Sequence, residues 1–331
     1  MIIQDDFIVT GRTRIFDDIL VCRKKLIFKK DESLESKLVI APKNGMVDGA
    51  QRMLKIIADT IDTGQDGDSE ITYDLDGDFK LDPETKAIGG EPGNPDFKTE
   101  MLSTSVAAPN YTPNDPYLDW VGSYPRANNG GNGIPGGRGG DGNDGQNAPI
   151  LEIWVNIIVG KGLNVVLKGQ DGGDGGKGGT GQDGGNGQKG SRAIVEAESH
   201  PFGPGTMSVC KQNPGMGGDG GRGGDAGCGG DGGNGGTGGV VKIFHTKNAD
   251  VQKLKFAYQG GEPGMPGEPG NPGVGGILGP RGDDEFRICW HPPYAWCGEF
   301  GRTCDKKARE GNRGADGFDK KTLIDRIPVF P

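Results

Sequence analysis

The chain has 331 residues, of which 66 are glycine and 22 proline, and only 32% are hydrophobic. Glycine stands far above its usual level of about 7%, so a single conventional apolar core is not expected. A formal net charge of -9 excludes non-specific nucleic-acid binding, which needs a basic surface, and favours solubility and cation binding.

The start, with Asp5 and Asp6 close behind Met1, lacks the basic residues and apolar stretch of a secretory signal. A mature form, export by another route, or release inside a particle is the expectation. Residues 25–30 and 37–42 read as two short strands rich in branched residues. Residues 51–62 are ambiguous. Leu54, Ile57, Ala58 and Ile61 fit a helical face behind an Asp48 cap, but the run also leads into Gly64 and Gly67, as the later strands lead into glycine. Strand is the preferred reading.

Asp74, Asp76, Asp78 and Asp82 set carboxylates at close spacing around Gly77. Calcium loops use oxygen ligands in this way, although the glycine comes two places too early for an EF-hand. A solvated acidic turn is the plainer reading. Ca2+ bound there is the one cofactor expectation, and no other cofactor is expected. Residues 92–125 look like a connecting or capping loop, with a small aromatic cluster at Tyr117, Trp120 and Tyr124.

Beyond it, residues 130–145, 169–190, 215–239 and 261–282 carry glycine at every third position. A three-residue period predicts a polyproline-II type helix, with one face bare of side chains. Another backbone can approach that face closely and bond to its amides and carbonyls. A tract of seven or eight triplets would be a rod of roughly 65–75 Å. In residues 215–239 two of the three faces are essentially glycine, which a collagen triple helix does not need. The expected fold class is therefore mostly β plus polyproline-II or polyglycine-II helices. In it, strand-pair modules alternate with Gly-X-Y rods in an intramolecular bundle, and a collagen-like homotrimer is the alternative. Asp219, Arg222, Asp225 and Asp231 are expected to point to water. The strand pairs at 151–168 and 241–260, with a looser copy at 193–210, are expected to stack into a sheet at one end.

Cys289, Cys297 and Cys304 lie within sixteen residues. A local disulfide among them is preferred over a zinc site, whose ligand spacing is not met by Cys289 and His291. Cys210 and Cys228 are close enough in sequence to pair, and connectivity stays open. Phe286, Trp290, Tyr294, Trp296 and Phe300 gather around these cysteines, while aromatics are only 7% overall. They suit a small cap core, the plainer reading, or a recognition tip. Trp290, Tyr294, Trp296, Tyr117 and Trp120 are the tip candidates. The tripeptide Arg281-Gly282-Asp283 is short enough to occur by chance. The three histidines, His200, His245 and His291, stand in unlike contexts, so no catalytic site is expected and the chain is read as a non-enzyme. The longest apolar run, residues 150–159, is too short for membrane insertion.

Three regions are expected: a β-rich region at 1–125, a glycine-rich bundle at 126–285 and a Cys- and aromatic-rich cap at 286–331. By repeat pattern, residues 130–282 resemble the polyglycine-II bundle proteins, namely phage tail-tip adhesins and springtail antifreeze proteins, and the bacterial collagen-like proteins. The likeness implies a structural or adhesion protein, extracellular, at a cell surface or on a phage particle. Its partners would be a cell-surface receptor or glycan, or itself in a filament or sheath. Ice binding is the remote alternative, because the outward residues are charged rather than small.

Overall fold

The computed structural model of the protein describes residues 1–30, 36–41, 51–65, 67–74, 126–200, 203–285, 287–290 and 294–327. Regular structure there is almost wholly strand. In chain order the strands are β1 (Ile2–Val9), β2 (Gly11–Ile15), β3 (Ile19–Phe28), β4 (Ser36–Ile40), β5 (Met53–Asp62), β6 (Ser69–Tyr73), β7 (Ile150–Val159), β8 (Leu163–Val166), β9 (Ile194–Ser199), β10 (Thr206–Gln212), β11 (Val240–His245), β12 (Leu254–Ala257) and β13 (Phe318–Leu323). The ambiguous run at 51–62 is thus a strand.

Strands β1, β3, β5, β7, β11 and β13 form one sheet in that order, and β2, β4, β6, β8 and β12 form a second. Every neighbouring pair within the two sheets is parallel. The chain therefore adds a strand to the first sheet, turns, adds one to the second, and returns. Parallel strands need a crossover, which is usually a helix; here the partner sheet and the segments beyond it supply the return path. Gly160, with φ 91°, makes the turn between β7 and β8. A Cβ there would run into the Gly64 backbone of the neighbouring turn.

The core lies between the sheets because alternate side chains point inward. Leu151, Ile153 and Val155 of β7 meet Leu163 and Val165 of β8 in one cluster with Leu20, Leu26, Ile56, Ile71 and Ile243. Burying an aliphatic side chain of this size contributes roughly 1.5–3 kcal/mol, which makes this cluster the main apolar support of the chain.

Two glycine segments leave the second sheet, following β8 and β12. Three lead back into the first, ahead of β7, β11 and β13. They form no helical element and are bonded laterally. Gly130, Gly133 and Gly136 donate to the carbonyls of Asp219, Arg222 and Asp225, at 2.7–2.9 Å. Gly173 donates to Asn143, Gly218 to Gln188, and Gly261 to Gly236.

The expected fold class is corrected on this evidence. Among the described residues the architecture is two large parallel β-sheets with essentially no helix, rather than a polyproline-II or collagen-like rod bundle or a homotrimer. The physical reason lies in what the glycine period constrains. It demands a bare face, but it says nothing of where apolar burial sits. That burial is in the strands, whose two members per module enter different sheets. The looser copy at 193–210 departs again: β9 and β10 form a separate antiparallel hairpin. It lies at the far end of the glycine segments, no more than about 100 Å from the sheets at the reach of an extended chain.

Candidate functional site

The last glycine segment, entering β13, holds the most exposed aromatics among the described residues. Its backbone is pinned on two sides. Gly220, Gly223 and Ala226 donate to the carbonyls of Trp296, Glu299 and Arg302, at 2.9 Å each. Gly298 and Gly301 donate to the carbonyls of Gly276 and Gly273. Side-chain oxygens complete the fixation: Asn213, Asp219 and Asp225 accept from the backbone N–H of Trp290, Trp296 and Arg302, at 3.0, 2.8 and 2.7 Å.

These bonds recur every third residue, so residues three apart share a face. Ala295 is turned inward and buried. Trp290 and Trp296 stand on the face next to the carboxylates, 80% and 78% exposed. Tyr294, Cys297 and Phe300 stand on the other outward face, with Tyr294 70% and Phe300 68% exposed. The cap-core reading of this cluster is corrected: small residues fill the inward positions, and the rings have nothing to pack into. Ile277 and Val274, on the adjoining glycine segment, add exposed apolar surface. The Arg281 guanidinium lies 5.5 Å from the Tyr294 ring centroid, within cation–π range. Phe286 and His291 lie outside the described residues.

The cysteines clamp this segment from both ends. Cys210 of β10 is bonded to Cys289, and Cys228 to Cys304. Each disulfide joins two chain segments, where a local bond among Cys289, Cys297 and Cys304, or one between Cys210 and Cys228, was expected. Neighbouring segments repeat at 77–78 residues here, and that spacing, rather than closeness in sequence, sets the pairs. Cys297 is free and exposed, and Cys22 is free and buried. Burial, with a smaller contribution from Asp6, pushes the Cys22 thiol up to about 12. On the hairpin, the Lys211 ammonium bonds Glu198, which raises its affinity for the proton.

The acidic residues act otherwise than expected. Asp219, Asp225 and Asp231 do not simply face water, because each accepts a backbone N–H from the last glycine segment. The same arrangement links earlier segments 90 or 91 residues apart, as from Asp231 N–H to Asp141 and from Met265 N–H to Asp174. This spacing was present in the two strand pairs, at 151 and 241, and was the signal that would have revealed it. Asp74 is buried and ion-paired with Arg14. Asp76, Asp78, Asp82, Tyr117 and Trp120 lie outside the described residues. Among the described residues, no group of three or more His, Cys, Asp or Glu side chains is placed to hold a metal ion. The Arg281-Gly282-Asp283 tripeptide is tied down, with Gly282 donating to Gly215 and Asp283 paired to Lys189 at 2.6 Å.

No family model matches the chain, and no curated protein does. Among solved structures, the nine polyproline type II helical bundle antifreeze protein of the springtail Granisotoma rainieri is returned at 19% identity. The match covers 67% of this chain and 99% of that one, with a TM-score of 0.09. A superposition that weak relates neither the folds nor the functions.

Proposed function

We propose that the chain is a non-enzymatic recognition scaffold that offers Trp290 and Trp296 to a cell-surface receptor or glycan. The observation that carries this reading is two largely exposed tryptophans, each held at its backbone N–H, with the Trp296 carbonyl bonded as well. Tryptophan is the most frequent anchor in binding hot spots, and its ring stacks on flat apolar surfaces. A backbone fixed before contact loses little freedom on binding, so the rings are preorganised. The two disulfides favour an oxidising, extracellular setting. A self-assembling filament subunit is the second reading, favoured by the open edges of β1 and β13 in the first sheet.

The test is a Trp290→Ala/Trp296→Ala variant of the whole chain, scored on a glycan array and on intact cells. Binding weaker by about 100-fold, with an unchanged melting temperature, is expected. Equal binding by parent and variant rejects the recognition reading. Fibres on size-exclusion chromatography or electron micrographs favour the second.

A further inference from the structure

Tyr294, Cys297 and Phe300 form an exposed face distinct from the two tryptophans, and its arrangement is symmetric. An aromatic ring stands three residues before the thiol and another three residues after it. The three-residue bonding period puts all three side chains in one line. Cys297 is the only exposed free thiol among the described residues. We propose that this face is a two-fold interface between two copies of the chain, closed by a Cys297–Cys297 disulfide.

In an isologous contact, residue i of one copy meets residue j of the other, and j meets i. Two segments laid antiparallel about an axis at Cys297 place Tyr294 of each copy against Phe300 of the other. Arg281 lies over Tyr294 and so sets a guanidinium beside each aromatic pair.

The area explains the thiol. Aromatic side chains bury about 150–250 Å² each, so four rings bury roughly 600–1,000 Å². A stable interface needs about 1,200 Å² or more. The rings orient the two copies but do not hold them, and the covalent bond holds what the rings align. The chemistry needs a disulfide oxidant, here oxidised glutathione. One Cys297 thiolate attacks a glutathione sulfur and releases one reduced glutathione. The second Cys297 thiolate then attacks the mixed disulfide and releases the other. Two protein thiols and one glutathione disulfide thus become one protein disulfide and two glutathione thiols. The product carries two copies of the tryptophan face, which makes any surface contact bivalent.

The experiment uses the full chain in a glutathione redox buffer, followed by non-reducing electrophoresis, light scattering and peptide mapping. A covalent species of twice the 34.6 kDa chain mass, cross-linked Cys297 to Cys297, is expected, and Cys297→Ser is expected to stay monomeric. A Tyr294→Ala/Phe300→Ala variant keeps the thiol and is expected to dimerise at least about fivefold more slowly, from loss of two aromatic pairs. Three results overturn the proposal: a parent chain that ends as a monomer capped by glutathione, a cross-link through any other cysteine, or a ring-less variant that dimerises at the parent rate. None of them bears on the tryptophan face, whose own test uses variants that leave Cys297 in place.

Discussion

The sheets and the glycine segments are two halves of the same circuits, held by opposite means. In the sheets, parallel backbone pairing sets strands side by side, and stability comes from inward side chains such as Leu20, Leu26, Ile153 and Leu163, all fully buried. In the glycine segments the backbone itself is the interior. Gly227 shows this best: its N–H donates to Gly179, its carbonyl accepts from Gly270, and its missing Cβ would strike Gly137. Ordering glycine is entropically the most expensive choice, so these segments need a neighbour that fixes their alignment. The in-register strands β7, β11 and β13 do that, because each continues directly from a glycine segment.

The comparison breaks most sharply at Gly227. Gly227→Ala forces a methyl group against backbone that is itself bonded on other sides, so nothing can yield cheaply. A loss of at least about 4 kcal/mol is expected by urea denaturation, at the exceptional end for a point change. Gly203→Ala is the control, since a Cβ there meets nothing within 4 Å. If Gly227→Ala melts like the parent, backbone packing is not what holds this region.

The sheet half is tested at Ile153, in the centre of β7 between β5 and β11. Ile153→Ala leaves a cavity, and a loss of about 2–5 kcal/mol is expected. Circular dichroism and amide exchange at the glycine segments should report the same transition, if the sheets set the segments' alignment. Glycine amides that stay protected while the sheets unfold would show that the two halves are independent.

Much of this was legible in the chain, and the misses have physical causes. Alternating branched residues marked β3, β7 and β11 because the pattern reports a half-buried strand. The pattern does not report the partner, so a turn at 160–162 that carries the chain into a second sheet reads like a hairpin. The glycine frame was plain up to residue 282 and faded afterwards, because Ala295 and Cys304 take inward positions. A one-residue shift between Arg302 and Arg309 also breaks the count. The region boundary at 286 follows from that fading, whereas the lateral bonds run on through residues 294–317. Aromatic composition singled out Trp290 and Trp296 without saying whether they face inward. Only the bonded neighbours on either side decide that.

The finest distinction between the halves lies in the side chains that do hold the glycine segments. Asp231 Oδ1 accepts from Arg309 N–H at 2.7 Å, and its other carboxylate oxygen sits 3.4 Å from Arg138. If the bond to backbone is what counts, Asp231→Asn keeps the acceptor and should stay within about 0.5 kcal/mol of the parent. Asn234 already serves Asn312 in the same role at 2.8 Å. Asp231→Ala removes the acceptor and should lose about 1 kcal/mol, the net worth of one such bond. If charge is what counts, the two variants lose the same amount. Exposed ion pairs contribute only about 0–1 kcal/mol and weaken in salt, so repeating both melts at high salt separates the causes: a gap between Asn and Ala that survives salt belongs to the hydrogen bond.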